Sequence, residues 1–101
     1  MAIADLSIVP VGTGSTSLSP WVADLQRLLA RAPEPIRYEM TAMGTLIEGS
    51  MPDLLAVIGR LHEAPFAAGA DRVYTVVKFD DRRDRPSTLE SKVSSVRTKL
   101  G

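Results

Sequence analysis

RVYTVVKFDDRRDRP, residues Arg72 to Pro86, alternates apolar with polar side chains and then breaks into the dense charged run Asp80, Asp81, Arg82, Arg83, Asp84 and Arg85. Val73, Thr75, Val77 and Phe79 share one face and Tyr74, Val76, Lys78 and Asp80 the other, the period of two that a strand requires. The stretch predicts a strand that sends one face into a core and delivers charge to a rim. Lys78 and Asp80 then stay available for pairing or for chemistry.

Working upstream, Ser50-Met51-Pro52-Asp53 combines a capping serine, a first-turn proline and an acidic residue three after the serine, which starts a helix. Leu54, Ile58, Leu61 and Pro65 follow on one stripe with Phe66 beside it, and the helix ends near Gly69. Thr45 to Gly49 and Ile36 to Thr41 read as strands. Met43-Gly44 lies between them as a tight hairpin, where glycine tolerates positive φ. Ser19-Pro20 predicts a cap and first turn for an earlier helix in which Val22, Leu25, Leu28, Leu29 and Ala32 recur at helical spacing, until Pro33 and Pro35 stop it. Ala2 to Pro10 is a first strand, with Leu6 and Ile8 on one face and Asp5, Ser7 and Val9 on the other. The order strand, helix, strand, strand, helix, strand is a βαβ unit written twice. Right-handed crossovers close it as a four-stranded antiparallel sheet with both helices on one face, the ferredoxin-like α+β sandwich.

Downstream, Ser87-Thr88-Leu89-Glu90 reads as a further capping box, followed by Leu89, Val93, Val96 and Leu100 at helical spacing. This C-terminal helix carries a narrow apolar stripe that must bury against the bare sheet face, another subunit, or both. A small neutral domain with such a helix has more apolar surface than it can cover alone, so a homodimer or tetramer through the sheet face and C-terminal helix is expected.

Residues 1–101 suffice for a single domain. Twelve basic and 12 acidic residues cancel. Without a basic surplus to release counterions, nucleic acid is not an expected partner. Cysteine is absent, which removes disulfides, thiolate metal sites and cysteine nucleophiles. No leader pattern and no run of about 18 to 20 apolar residues is visible, so no membrane association and a cytoplasmic location are expected.

Three segments then carry a resemblance: PVGTGSTSLSPWV at Pro10 to Val22, MTAMGTLIEG at Met40 to Gly49, and GADRVYTVVKFDDRRDRPSTLESKVSSV at Gly69 to Val96. Together they resemble the thiamine-binding protein family, small YkoF-like domains long catalogued as uncharacterised conserved proteins. The combination of the Gly-Thr-Gly-Ser loop, the Met-Gly-Thr-x-x-Glu-Gly hairpin and the Asp-Asp-Arg-Arg-Asp strand end is specific, although each piece alone is weak. Many members have a proline just before the Met-Gly-Thr, where this chain has Ala42. The resemblance implies a ferredoxin-like fold, dimers through the sheets and often tetramers, and, in some members, binding of thiamine or its hydroxymethylpyrimidine portion without known catalysis. No cofactor is implied as a requirement.

The candidate ligand contacts are Gly12, Thr13, Gly14 and Ser17 of the loop, Tyr38, Met40, Thr45 and Glu48 of the hairpin, and Lys78 and Asp80 of the last strand. The loop lies between a strand and a helix N-terminus, where free N–H groups can hold an anion or a ligand oxygen, or simply connect. It matches neither the dinucleotide fingerprint nor the P-loop. Glu48 sits in an otherwise apolar strand, where a carboxylate must be solvated, paired or used. Its two readings are an ion pair with Lys78 or Arg72 and a carboxylate accepting hydrogen bonds from an aminopyrimidine. Gly49 beside it permits close approach of a ligand or another backbone. Tyr38 and Tyr74 lie on strands and are placed to stack on a flat ring. Arg82, Arg83, Asp84 and Arg85 read as a solvated, self-neutralising turn. His62 lacks companions at ligand spacing, so no metal site is expected.

Two functions compete on these residues, beside a third in which the chain is an interaction module whose open sheet face binds only other copies of itself. One is a noncatalytic binding protein for thiamine or its pyrimidine portion, acting as carrier, buffer or sensor in an oligomer. The other is an enzyme or oligomeric regulator in which the Glu48, Lys78 and Asp80 cluster supplies acid and base.

Overall fold

The computed structural model describes Met1 to Gly101. Its elements run β1 (Ala2–Val11), α1 (Ser19–Ala30), β2 (Arg37–Met40), β3 (Thr45–Gly49), α2 (Met51–Ala67), β4 (Arg72–Asp81) and α3 (Leu89–Leu100). The four strands form one antiparallel sheet in the order β2-β3-β1-β4, the ferredoxin-like arrangement. Helices α1 and α2 pack on one face. There Ala2, Ala4, Leu6 and Ile8 of β1 and Ile47 of β3 meet Leu25 and Leu29 of α1 and Leu54, Val57, Ile58 and Leu61 of α2 in one core. Strand β1 contributes every second residue and α1 and α2 one stripe each, as the periodicities require, while Val73 and Val77 of β4 pack partly buried at the margin.

Several local expectations are corrected. Leu18, not Ser19, is the N-cap of α1 and makes no side-chain cap; Ser19 is already helical. The box that starts α3 is shifted by one residue: Thr88 accepts from the Ser91 N–H while the Ser91 hydroxyl accepts from the Thr88 N–H. Strand β2 is shorter than expected because Thr41 already belongs to the turn, its N–H and hydroxyl both donating to the Gly44 carbonyl. Gly44 does not have positive φ. It is needed for space, since a Cβ there would stand 2.9 Å from the Leu6 carbonyl oxygen.

The other sheet face is read from the strand register. Its rows are Arg37–Glu48–Ile3–Asp80, then Glu39–Leu46–Asp5–Lys78, then Ser7–Val76, Val9–Tyr74 and Val11–Arg72. Helix α3 lies over the first two rows and leaves the last three bare. Its stripe is not buried within the chain, because Val93, Val96 and Leu100 are 49%, 58% and 81% exposed. Strand β3 stops pairing with β1 at Leu6, so the far ends of β1 and β4 extend beyond it as a two-stranded ribbon.

Candidate ligand site beneath the third helix

Glu48 is the anchor of this end of the molecule. It is 1% exposed on the α3 face of the sheet. Its Oε1 accepts from Arg37 Nη1 at 3.1 Å and its Oε2 accepts from the Leu89 N–H at 2.8 Å. Leu89 opens α3, so the carboxylate satisfies a free N–H of the helix N-terminus and places negative charge at the positive end of its dipole. Neither Lys78 nor Arg72 is its partner. Arg37 lies directly across the β2–β3 ladder, whereas Lys78 sits a row away and pairs with Asp5 at 3.4 Å.

Two further ion pairs hold α3 down. Arg37 also pairs with Glu90, and Lys92 pairs with Asp80. The Arg37 guanidinium, through its hydrogen bonds, lowers the Glu90 carboxyl to a pKa of about 2. These bonds, more than apolar contact, set the helix on the sheet.

Between α3 and the sheet lies a cleft of about 570 Å³. Ile3 and Leu46 form its apolar floor, Leu89 and Val93 its roof, and Glu39, Glu90, Lys92, Ser94 and Arg97 its rim. Volumes of roughly 300 to 1,000 Å³ suit small organic ligands. Glu39 is the carboxylate of this rim that makes no ion pair or side-chain hydrogen bond within the chain, while Glu90 is engaged by Arg37. An apolar slot with a free carboxylate at its edge can take a flat ring by its faces and meet an amino or cationic group.

The structure divides the ten candidate contacts into three groups. Glu48, Lys78 and Asp80 share the α3 face, but each is bonded to a different partner: Arg37, Asp5 and Lys92. Tyr38 and Met40 stand opposite Ile47 and Thr45 and so face the α1/α2 side. The Thr45 hydroxyl accepts from Gln26 Nε2 of α1 at 3.0 Å. Tyr38 and Tyr74 therefore lie on opposite faces and cannot flank one ring within a chain. The loop Gly12, Thr13, Gly14 and Ser17 follows the far end of β1. Gly12 is nine residues beyond Ile3, the partner of Glu48. At about 3.3 Å per residue that is roughly 30 Å.

Sequence reasoning missed Arg37 and Glu39, although their alternation with Tyr38 put both on the face of Glu48. The roof residues Leu89 and Val93 belong to the stripe whose spacing called for burial, and the structure sets them over Ile3 and Leu46 while Val96 and Leu100 stay exposed. His62 bridges α2 to β4, its Nδ1 2.7 Å from the Thr75 hydroxyl and its ring edge-on to Phe66. No group of three or more His, Cys, Asp or Glu side chains is gathered as a metal site needs. No helix is long and apolar enough to cross a membrane.

A family model described as thiamine-binding protein matches residues 4–97. Among curated relatives, a UPF0045 protein of Bacillus subtilis is 52% identical, the alignment covering 99% of this chain and 98% of that one. A UPF0045 protein of Methanothermobacter thermautotrophicus is 45% identical over 99% and 100% of the two chains. Among solved structures, a hypothetical protein of Methanocaldococcus jannaschii superposes with a TM-score of 0.83 at 29% identity, over 95% of each chain. A Thermotoga maritima protein, assigned provisionally to thiamine biosynthesis or salvage, superposes with a TM-score of 0.77 at 19% identity, over 95% of this chain and 98% of that one.

Proposed function

The chain belongs to the thiamine-binding protein family, and we propose that it binds thiamine, or the hydroxymethylpyrimidine portion of it, in the cleft beneath α3. The observation that carries this reading is the unpaired Glu39 at the edge of an apolar slot. The pyrimidine ring lies between Ile3 and Leu46 below and Val93 above, and its amino group, or the thiazolium charge, meets the Glu39 carboxylate. The description of the Thermotoga structural neighbour points to the same chemistry. The protein acts without turnover, as carrier, buffer or sensor, in a reducing cytoplasm that its cysteine-free composition suits. It works as an oligomer in which the bare rows Ser7–Val76, Val9–Tyr74 and Val11–Arg72 are covered by another copy. No cofactor is required.

Titration calorimetry with thiamine and with hydroxymethylpyrimidine tests the reading, with mass spectrometry of the recovered ligand. Saturable binding and unchanged ligand are expected. At a hundred times the dissociation constant the ligand should stabilise the fold by about 2.7 kcal/mol. Glu39→Gln removes a charge-assisted bond worth roughly 1.5 to 3 kcal/mol, a ten- to hundredfold weakening, and leaves the melting temperature of the free protein nearly unchanged. Absence of both binding heat and thermal shift would sink the proposal, and a chemically altered ligand would replace it with the enzymatic one.

A further inference from the structure

The charged run after β4 does more than neutralise itself. Arg83 pairs with Asp81, and Arg82 grips Asp84 through Nε and Nη2 at 2.6 and 2.9 Å, whereas Arg85 has no carboxylate within ion-pairing distance. The backbone turns there at Pro86 into α3. Between this connection and α3 lies a second concavity of about 630 Å³, adjoining the cleft beneath α3.

Its lining is Arg82, Arg85, Pro86, Ser87, Ser91, Lys92, Ser94, Ser95 and Val96. Three cations and four hydroxyls converge on it and no carboxylate does, in a chain with as many acidic as basic residues. The donors are unevenly used. Ser91 is consumed by the helix cap and the Ser95 oxygen accepts from Lys99, which leaves the Ser95 proton free. The hydroxyls of Ser87 and Ser94 make no hydrogen bond within the chain, and the Arg85 fork is open.

We propose that this concavity binds a phosphate group. A tetrahedral dianion accepts from several directions at once, which suits a guanidinium fork on one wall and serine hydroxyls on the other. Arg82 and Lys92, held in place by Asp84 and Asp80, add positive potential behind those direct donors. Lys92 and Ser94 line both cavities. The phosphate is therefore either free or the phosphoryl end of the molecule whose ring occupies the cleft. The proposal stands without the thiamine reading, since inorganic phosphate is its probe.

The test is a titration of the full-length protein with inorganic phosphate and pyrophosphate in low-chloride buffer, followed by amide NMR. Saturable shifts at Arg85, Ser87, Ser94 and Ser95 are expected. Arg85→Ala should weaken binding by about tenfold or more, Arg85→Lys should recover part of the loss, and Ser94→Asp, which plants a carboxylate in the concavity, should abolish binding in a folded protein. Non-saturable shifts, or an affinity untouched by Arg85→Ala and Ser94→Asp, overturn the proposal. Thiamine diphosphate against thiamine then tells the sources apart. A tighter diphosphate that loses its advantage in Arg85→Ala supports the site as part of the ligand's own. Equal affinities alongside phosphate binding support it as a site for free phosphate. Thiamine that fails to bind refutes the cleft reading and leaves the phosphate result to stand or fall by itself.

Discussion

Replacing Glu48 by Gln keeps the side chain's size and removes one of the two acceptors that hold α3. In the native chain Oε1 takes Arg37 and Oε2 takes the Leu89 N–H, both from a buried position. Glutamine has one carbonyl oxygen, so its amide N–H₂ must confront the other donor. The cheaper arrangement keeps Leu89 on the oxygen and turns the amide to Arg37, which retains Glu90 and, with a side chain 60% exposed, can be rehydrated. The loss is then one bond between charged groups, roughly 1.5 to 3 kcal/mol less what hydration of Arg37 returns, plus about 0.3 to 1 kcal/mol from the helix dipole. We expect about 2 kcal/mol in all. For a domain near 100 residues that lowers the melting temperature by on the order of 10 °C, compared at one protein concentration. Hydrogen exchange should show the amides of α3 losing protection before those of β1 or α2, because the helix is held more by these bonds than by apolar contact. Ligand affinity should fall only as far as α3 undocks. An unchanged melting temperature and α3 protection, together with a ten- to hundredfold loss of thiamine affinity, would refute the reasoning and return Glu48 to the role of ligand acceptor.

Acid should act on the same helix. The folded-state pKa of Glu90 is depressed by Arg37, so its contribution is complete above the unfolded value of 4.5 and is lost as pH falls toward about 2. Exchange protection of α3 should therefore drop across that window, and Glu90→Gln should remove the part of that loss which the Arg37–Glu90 pair contributes. Association is expected through the bare rows of the sheet, where a charge on the exposed Tyr74 would face a partner's apolar surface. Tyr74→Asp should shift light scattering toward the monomer at micromolar concentration without lowering the helix content, and a wild-type monomer across the whole concentration range would remove the oligomeric reading.

The chain's own periodicities determined the element order, the ferredoxin-like topology and most of the core: Leu6, Ile8, Leu25, Leu29, Leu54, Ile58 and Leu61 all sit on the faces their spacing assigns. Proline and a serine cap also marked the start of α2 correctly, with Ser50 accepting from the Asp53 N–H. These signals are local, because a helix or strand displays its buried face in the spacing of neighbouring residues. Alternation likewise put Lys78 and Asp80 on the face away from the core and could have placed Arg37 and Glu39 with Glu48. What it could not supply was the register between β2, β3 and β1, which makes Arg37 rather than Lys78 the partner of Glu48 and carries the glycine loop far from the cleft. Nor could it place α3, whose stripe is the same whether it covers the sheet or faces a partner. Tertiary structure decided both, because pairing register and helix docking depend on groups distant in sequence, whose mutual positions exist only once the chain has closed on itself.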